Sequence, residues 1–491
     1  MNGGVGSWIE RRARTQPARV ALVHGDVRYT YDELARRIRR LAHALRALGV
    51  GRGDRVTWLG ANHPAFLELL FATAKLGAVL APINHRQDPA HIAALVADYS
   101  PVVAVVDASC ASVPLPPDTQ RVVLGVDYET QVARASDAAI DEPVVLSDLC
   151  TLPHTSGTTG TPKGIMLTHG NMTWNVVNVL SVVDIRADDV TVAIAPFFRT
   201  GGLGVNVLPV LFKGGTVIVP ESPSADAILD CLSRGRATIG FGNPDLLDAL
   251  THTSRWAHAD LSSVRLFMTG GTPVPERLLR TYLDRGIPCV QGYGLSEAAP
   301  LVLLVDADSA LRKIGSAGKP PLLVDVRVVR PDRSECEYNE TGELEVHGPN
   351  VMAGYWNRPD ATRLALDDAG WLATGDAARI DDEGYVWIVD RVADAYEAAG
   401  HIIYPGDVER ALAAHPSVVD VGVAGVDGRG IAFVVRLAGT TTSEHELLEA
   451  CRTRLPPHAV PASVRFVEEL PRSSVGKLLR TELARRASNS T

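Results

Sequence analysis

Over the first 220 residues, short apolar runs alternate with stretches of helical periodicity. The stretch that begins "VALVHGDVRYTYDELARR" reads as a short strand, a turn at Gly25-Asp26, a second strand and then a helix. Leu34, Ile38, Leu41, Leu45 and Leu48 then recur at the spacing of one helix face. Thr30 and Glu33 are placed to form a capping box at its start, and Gly49 ends it. The alternation continues with "DRVTWLG" (54–60) as a buried strand, "PAFLELLFATAKLGAV" (64–79) as a helix, and "VVAVVDA" (102–108) and "GGTVIVP" (214–220) as strands. "SVPLPPDT" (112–119) reads as an exposed loop. Apolar strands separated by helices predict an α/β fold with largely parallel sheets, buried on both faces.

Beyond about residue 315 the pattern changes. "LLVDVRVVR", "GELEVHG" and "ARIDDEGYVWIVDR" are short or alternating strands parted by turn residues. From residue 392 a compact α+β pattern follows: helix "PGDVERALAAH", strands "VVDVGVAGV" and "IAFVVRLAG", helix "EHELLEACRTRL" and a basic tail. The expected organisation is a large N-terminal domain, 1–390, with a small β-rich subdomain at about 315–390. A small, mobile α+β C-terminal domain, 391–491, follows a boundary at Asp390-Arg391.

A chain of 491 residues exceeds what one core usually serves, in keeping with that division. The composition, 46% hydrophobic and 21% charged, is that of a soluble globular protein. A net charge of −9 without a basic tract argues against nucleic acid as partner. Cys110, Cys150, Cys231, Cys289, Cys336 and Cys451 lie far apart without a CxxC pair, which suggests reduced thiols rather than a zinc site or disulfide framework. No apolar run approaches the roughly 18 residues of a membrane span, and the N-terminus lacks a signal-like apolar stretch. The expectation is a cytoplasmic enzyme, monomeric or homodimeric, without a membrane partner.

The sharpest chemical signal is "HTSGTTGTPKG", 154–164. Glycines allow backbone N–H groups to converge on an anion, hydroxyls add donors, and Lys163 adds charge, a combination suited to a triphosphate. The spacing is not that of a Walker A loop. Together with "LTHGN" it resembles the phosphate loop of the adenylate-forming enzymes, which include acyl- and aryl-CoA ligases, luciferases and peptide-synthetase adenylation domains. The resemblance extends in motif order over nearly the whole chain: "MTGGTPVP" (268–275), "VQGYGLSEAA" (290–299), "GWLATGDAARIDDEGYVWIVDR" (370–391) and "LPRSSVGKLLR" (470–480).

This resemblance implies ATP and Mg²⁺. Thr155, Ser156, Gly157, Thr158, Thr159, Gly160, Lys163 and Ser296 would meet the phosphates, with Glu297 and Thr158 at the metal. Gly270, Gly271, Thr272, Pro273, Gly292, Tyr293 and Gly294 would line the adenine, while Asp376 and Arg391 would serve the ribose. Lys477, with Glu297 and Arg199, would serve catalysis, Lys477 bridging the carboxylate and α-phosphate. Phe197, Phe198, Arg199, Gly202, Asn243 and Ala298 would line the acid pocket. The implied reaction activates a small polar or aromatic acid as its adenylate, releases pyrophosphate and passes the acyl group to CoA or another small nucleophile.

The chain departs from the family at three places. Ala393 occupies the hinge position where lysine or aspartate is usual, and "AAGH" (398–401) replaces a glycine-rich "SGGE" turn. "VAGVDGRGIAFVV" lacks a longer insertion common in CoA ligases. Arg199 stands where histidine is usual. The first two weigh against CoA and leave open capture of the adenylate by an amine or a carrier thiol, or activation of nitrite to diazotise an aromatic amine. A nucleotide-binding homologue without catalysis is disfavoured by the joint presence of Lys163, Glu297, Asp376 and Lys477. Three anions compete for Arg199: the reacting acid, a second acidic group on the substrate, or a surface carboxylate.

Overall fold

The computed structural model describes residues 3–155, 162–272, 274–472 and 478–488. It divides into two compact units, one holding the chain up to Val326 with Val346–Leu372, the other Arg327–Glu345 with Ala373 onward.

The first unit is built on two sheets. The eight-stranded sheet runs in the order Leu301–Leu304, Cys289–Gly294, Leu266–Gly270, Ile239–Gly242, Val190–Val192, Thr216–Ile218, Val20–His24, Val27–Thr30. Its six inner strands are mutually parallel, whereas each end is closed by an antiparallel partner. The seven-stranded sheet runs Gly354–Tyr355, Ile165–Thr168, Leu149–Thr151, Val79–Ile83, Arg55–Leu59, Val103–Val106, Gln120–Val123, with its first two pairings antiparallel. The mixed character sits toward the sheet edges, where apolar periodicity cannot tell strand direction.

The helix Tyr31–Ala47 begins at the expected capping box: Thr30 accepts from the Glu33 amide while Glu33 accepts from the Thr30 amide. Leu34, Ile38, Leu41 and Leu45 are buried, and Leu48 is the C-cap residue before Gly49. The helix Pro64–Leu76 is buried along its full length, and its two charged residues are paired, Glu68 with Arg37 and Lys75 with Glu10. All six cysteines are free; Cys231 and Cys336 are half-buried and the others buried.

The second unit contains most of a four-stranded sheet, Asp325–Val329, Gly342–His347, Leu372–Ile380, Val386–Arg391. Beyond it lie a short hairpin, a three-stranded sheet (Val418–Val426, Arg429–Arg436, Ser463–Phe466) and the helices Pro405–Ala413, Glu444–Arg452 and Arg480–Ser488. Ala393 is exposed, in the single turn Val392–Asp394.

The departure "AAGH" forms the tip of that hairpin. Ala398 pairs with His401, so Ala399 (φ +51°) and Gly400 (φ +78°) are the two turn residues, and this turn geometry needs positive φ at both. Ala399 is exposed, so no packing compensates the steric cost of a Cβ in the left-handed region, about 1–2 kcal/mol. Glycine also has a looser unfolded state, which offsets part of that cost. Ala399→Gly is therefore expected to stabilise the protein by about 0.5–1 kcal/mol, read as a raised Tm.

Candidate functional site

In the first unit, the parallel strands Leu266–Gly270 and Cys289–Gly294 carry the expected nucleotide segments to their C-terminal ends, where Gly270 and Gly292 stand in register. A Cβ on Gly270 would lie 2.3 Å from the Gly292 carbonyl oxygen, and one on Gly294 2.0 Å from that of Pro300. These two glycines are required by the close approach of neighbouring chain. Gly271 differs: at φ +89° its Cβ position faces open space, with nothing within 4 Å. The Thr269 hydroxyl and the Gln291 side-chain carbonyl, on facing residues of the two strands, are buried without a hydrogen-bond partner among the described residues. Open space beside unpartnered polar atoms fits a polar ring with its own donors and acceptors. Tyr293 and Thr272 are both partly exposed.

The turn Ser296–Ala298 follows. The Thr200 hydroxyl donates to Ser296 Oγ over 3.0 Å, and the Glu297 carbonyl accepts from the Met352 amide over 2.8 Å. Tyr355 Oη donates to Glu297 Oε1 over 2.9 Å, and the Lys163 ammonium lies 5.1 Å from the centre of the same ring. Tyr355 thus joins the two charges that the sequence singled out separately. Only "GYW" (354–356) announces it, and nothing local links that stretch to residues 163 or 297. At the base of the phosphate segment His154 and Gly164 form a β-bridge, and the Thr155 amide donates to the Lys163 carbonyl. Ser156, Gly157, Thr158, Thr159, Gly160, Pro273 and Lys477 lie outside the described residues.

The segment 195–204 is held by Asn62, which sequence reasoning missed. Its Oδ1 accepts from the Phe197 amide (2.8 Å), and its Nδ2 donates to the Ala193 and Ala195 carbonyls. Phe197 is 2% exposed and its ring lies 5.2 Å from that of Phe66, so it belongs to the core. Gly202 has no room for a side chain, since a Cβ would meet the Pro196 carbonyl oxygen at 2.2 Å. Asn243 caps the helix Pro244–Thr251 by accepting from the Leu246 amide, and Ala298 is buried.

Arg199 lies beside Phe198, its guanidinium carbon 6.0 Å from the ring centre, and makes no ion pair or side-chain hydrogen bond among the described residues. Burial holds its pKa below the usual guanidinium value. Phe198 meets His85 edge-on at 5.9 Å, and His85 Nδ1 is buried without a partner. Burial pushes the His154 imidazole down to about 4, with the Arg199 charge acting in the same direction, so His154 is neutral at physiological pH.

In the second unit, Asp376 and Arg391 are directly opposite across the hairpin Leu372–Ile380/Val386–Arg391, and Arg391 Nη1 donates to Asp376 Oδ1 over 2.7 Å. The Thr374 hydroxyl accepts from the Asp376 amide, fixing the turn of chain that presents the carboxylate. Farther along, Arg480 gathers Asp390, Asp394 and Glu409, an arrangement that the tail sequence did not announce. Among the described residues no helix is long and apolar enough to cross a membrane.

Comparison with known proteins gives two family matches: the AMP-binding enzyme family over residues 9–356, and the AMP-binding enzyme C-terminal domain over 407–477. The chain is 45% identical to a feruloyl-CoA synthase of Amycolatopsis sp over 494 residues, covering 99% of each. It is 36% identical to an indoleacetate–CoA ligase of Aromatoleum aromaticum, covering 97% of this chain and 96% of the relative. The structure of ATP-bound MatB from Rhodopseudomonas palustris superposes with a TM-score of 0.90 at 29% identity, covering 100% of this chain and 99% of that one.

Proposed function

The chain belongs to the AMP-binding enzyme family and is an ATP-dependent, AMP-forming acid ligase, and from that premise we propose that its acid is a small aryl-substituted carboxylate and its acceptor the thiol of CoA. The observation that carries this reading is the 45% identity to a feruloyl-CoA synthase along 99% of both chains. A second relative of nearly equal coverage, the indoleacetate–CoA ligase, also takes its name from an aryl acid. The chemistry of the segment is compatible, since Gly201 is packed so that a Cβ would lie 3.3 Å from the Phe241 ring, and Phe198 adds a second aromatic face.

The residues described fit ATP and Mg²⁺: open space and unpartnered polar atoms beside Gly271 suit the base, and the Glu297 carboxylate is a hard oxygen donor. Mg²⁺, when bound, screens the phosphate charge that repels an incoming carboxylate. In this reading Glu297 holds the ion, Tyr355 fixes the carboxylate's orientation through its hydroxyl, and Lys163 offers its charge to the phosphates. Asp376, steadied by Arg391, accepts from the ribose hydroxyls. Lys477 aligns the carboxylate with the α-phosphorus, so Lys477 acts by positioning and charge.

The test is pyrophosphate release by the purified chain with ATP and Mg²⁺ across hydroxycinnamates, arylacetates, benzoates and C8–C16 fatty acids, alongside CoA consumption. The expected result is a preference of about tenfold or more in kcat/KM for an aryl acid over every fatty acid, with one CoA consumed per pyrophosphate. Preference for a fatty acid would overturn the substrate class. Pyrophosphate release without CoA consumption would overturn the acceptor, and an amine or nitrite arm would then identify its replacement.

A further inference from the structure

We propose that Arg199 binds the reacting carboxylate of the acid substrate, the group that attacks ATP, and so sets the enzyme's selectivity for an anionic over a neutral ligand. The proposal rests on the acid-ligase reading above and deepens it. Arg199 is a half-buried cation, and a charge partly withdrawn from water is ordinarily found with a counter-ion that repays the lost solvation. Arg199 departs from that rule: no carboxylate among the described residues pairs with it, and the remaining residues contain no Asp or Glu. The surface-carboxylate reading of this arginine is therefore removed.

Position decides between the two substrate readings. The next residue, Thr200, donates to Ser296, which adjoins Glu297. The Arg199 charge is felt by His154, which is bridged to Gly164 next to Lys163 at the foot of the phosphate segment. Arg199 thus stands at the phosphate end of its segment. Its aromatic neighbours are Phe198, one residue before it, and Phe241, which faces Gly201 two residues after it. A cation at the phosphate end suits the carboxylate that must meet the α-phosphate, whereas a second acidic group of an aryl acid would lie a ring's length away. His154 is neutral, so it adds no second positive charge beside the guanidinium.

In the step itself, a carboxylate oxygen forms a bond to the α-phosphorus while the bond from that phosphorus to the bridging oxygen of pyrophosphate breaks. The bridging oxygen leaves with the electron pair. Arg199 keeps its protons throughout. Its planar fork matches the two carboxylate oxygens, offsets the anion–anion repulsion of approach and fixes the oxygen that attacks.

The experiment measures initial pyrophosphate release, together with equilibrium binding of a hydroxycinnamate and its primary carboxamide, for the wild type, Arg199→Met and Arg199→Lys. Arg199→Met is expected to raise KM for the acid about 10- to 100-fold, the worth of charge-assisted hydrogen bonds, with KM for ATP changed less than about twofold. The wild type should bind the acid more tightly than the amide, and in Arg199→Met that difference should vanish through loss of acid binding alone. Arg199→Lys should recover part of it. Equal weakening of acid and amide would mean that Arg199 serves only packing, and a raised KM for ATP with an unchanged one for the acid would assign it to phosphate. A loss confined to acids with a second carboxylate would assign it to a distal group. Each of these three outcomes overturns the proposal. Wild-type protein that binds hydroxycinnamate but releases no pyrophosphate with it would count against the proposed function, while the acid–amide comparison would still decide the role of Arg199.

Discussion

Replacing Arg480 by methionine is expected to destabilise the protein by about 3–5 kcal/mol at pH 7.5, the usual consequence of removing one partner from a buried ion pair. The side chain is only 16% exposed. It contacts Glu409 through both terminal guanidinium nitrogens, Asp390 at 3.1 Å, Asp394 through Nε at 3.3 Å and the Val423 carbonyl at 2.9 Å. Without it, two largely buried carboxylates, Glu409 and Asp390, lose their cation. The pH dependence follows from the sign of the shifts. Burial raises the Glu409 and Asp394 pKa values above their ordinary range, and Arg480 is the chief influence pulling them down. A carboxylate whose folded pKa exceeds its unfolded value favours folding once protonated, and that contribution is lost as pH rises through the folded pKa. Removing Arg480 lifts these folded values further, so the deficit should shrink as the pH falls from 7.5 toward 5. Paired thermal unfolding scans of variant and wild type across that range would read it. A Tm deficit that stays constant with pH would show that the lost guanidinium contributed packing and not charge. Arg480 opens the last helix three residues after Lys477, so the same cluster also anchors the chain that leaves the proposed catalytic lysine.

How far the sequence carried depends on the range of the interaction involved. The capping box at Thr30 and Glu33, the buried face of the helix after it and the turn at Gly25-Asp26 are local, and apolar spacing reveals them directly. Family membership was legible because five motifs occur in order over most of the chain. The antiparallel pairings of Leu301–Leu304 with Cys289–Gly294 and of Ile165–Thr168 with Leu149–Thr151 were not, since an apolar strand reads the same in either direction. Nor was the mooring of Phe197 by Asn62, 135 positions away, or the union of Lys163 with Glu297 through Tyr355. The glycines at 270 and 294 carry a related lesson: the resemblance placed them at the adenine, and neighbouring backbone by itself already excludes a Cβ at both. The sequence could mark Arg199 as an arginine in need of an anion. That none of the described residues supplies one is a three-dimensional fact.

The proposed role of Glu297 makes the largest catalytic prediction. Glutamine at this position has the same shape, and its side-chain carbonyl still accepts from Tyr355 Oη, so the local hydrogen bond and fold should survive. What is lost is one negative charge and an anionic oxygen ligand for Mg²⁺. Glu297→Gln should therefore lower kcat for pyrophosphate release by about 10²–10³, in the range seen when one electrostatic group is removed from a charged transition state. The half-saturating Mg²⁺ concentration should rise, while KM for the acid stays near its wild-type value. Tyr355→Phe, which keeps the ring under Lys163 but removes the hydroxyl, should cost only about 3- to 10-fold, the worth of a single hydrogen bond. The comparison separates charge from orientation. If Glu297→Gln and Tyr355→Phe fell equally, or if added Mg²⁺ had no effect on the Glu297→Gln deficit, the carboxylate would be acting through the tyrosine and not on the metal.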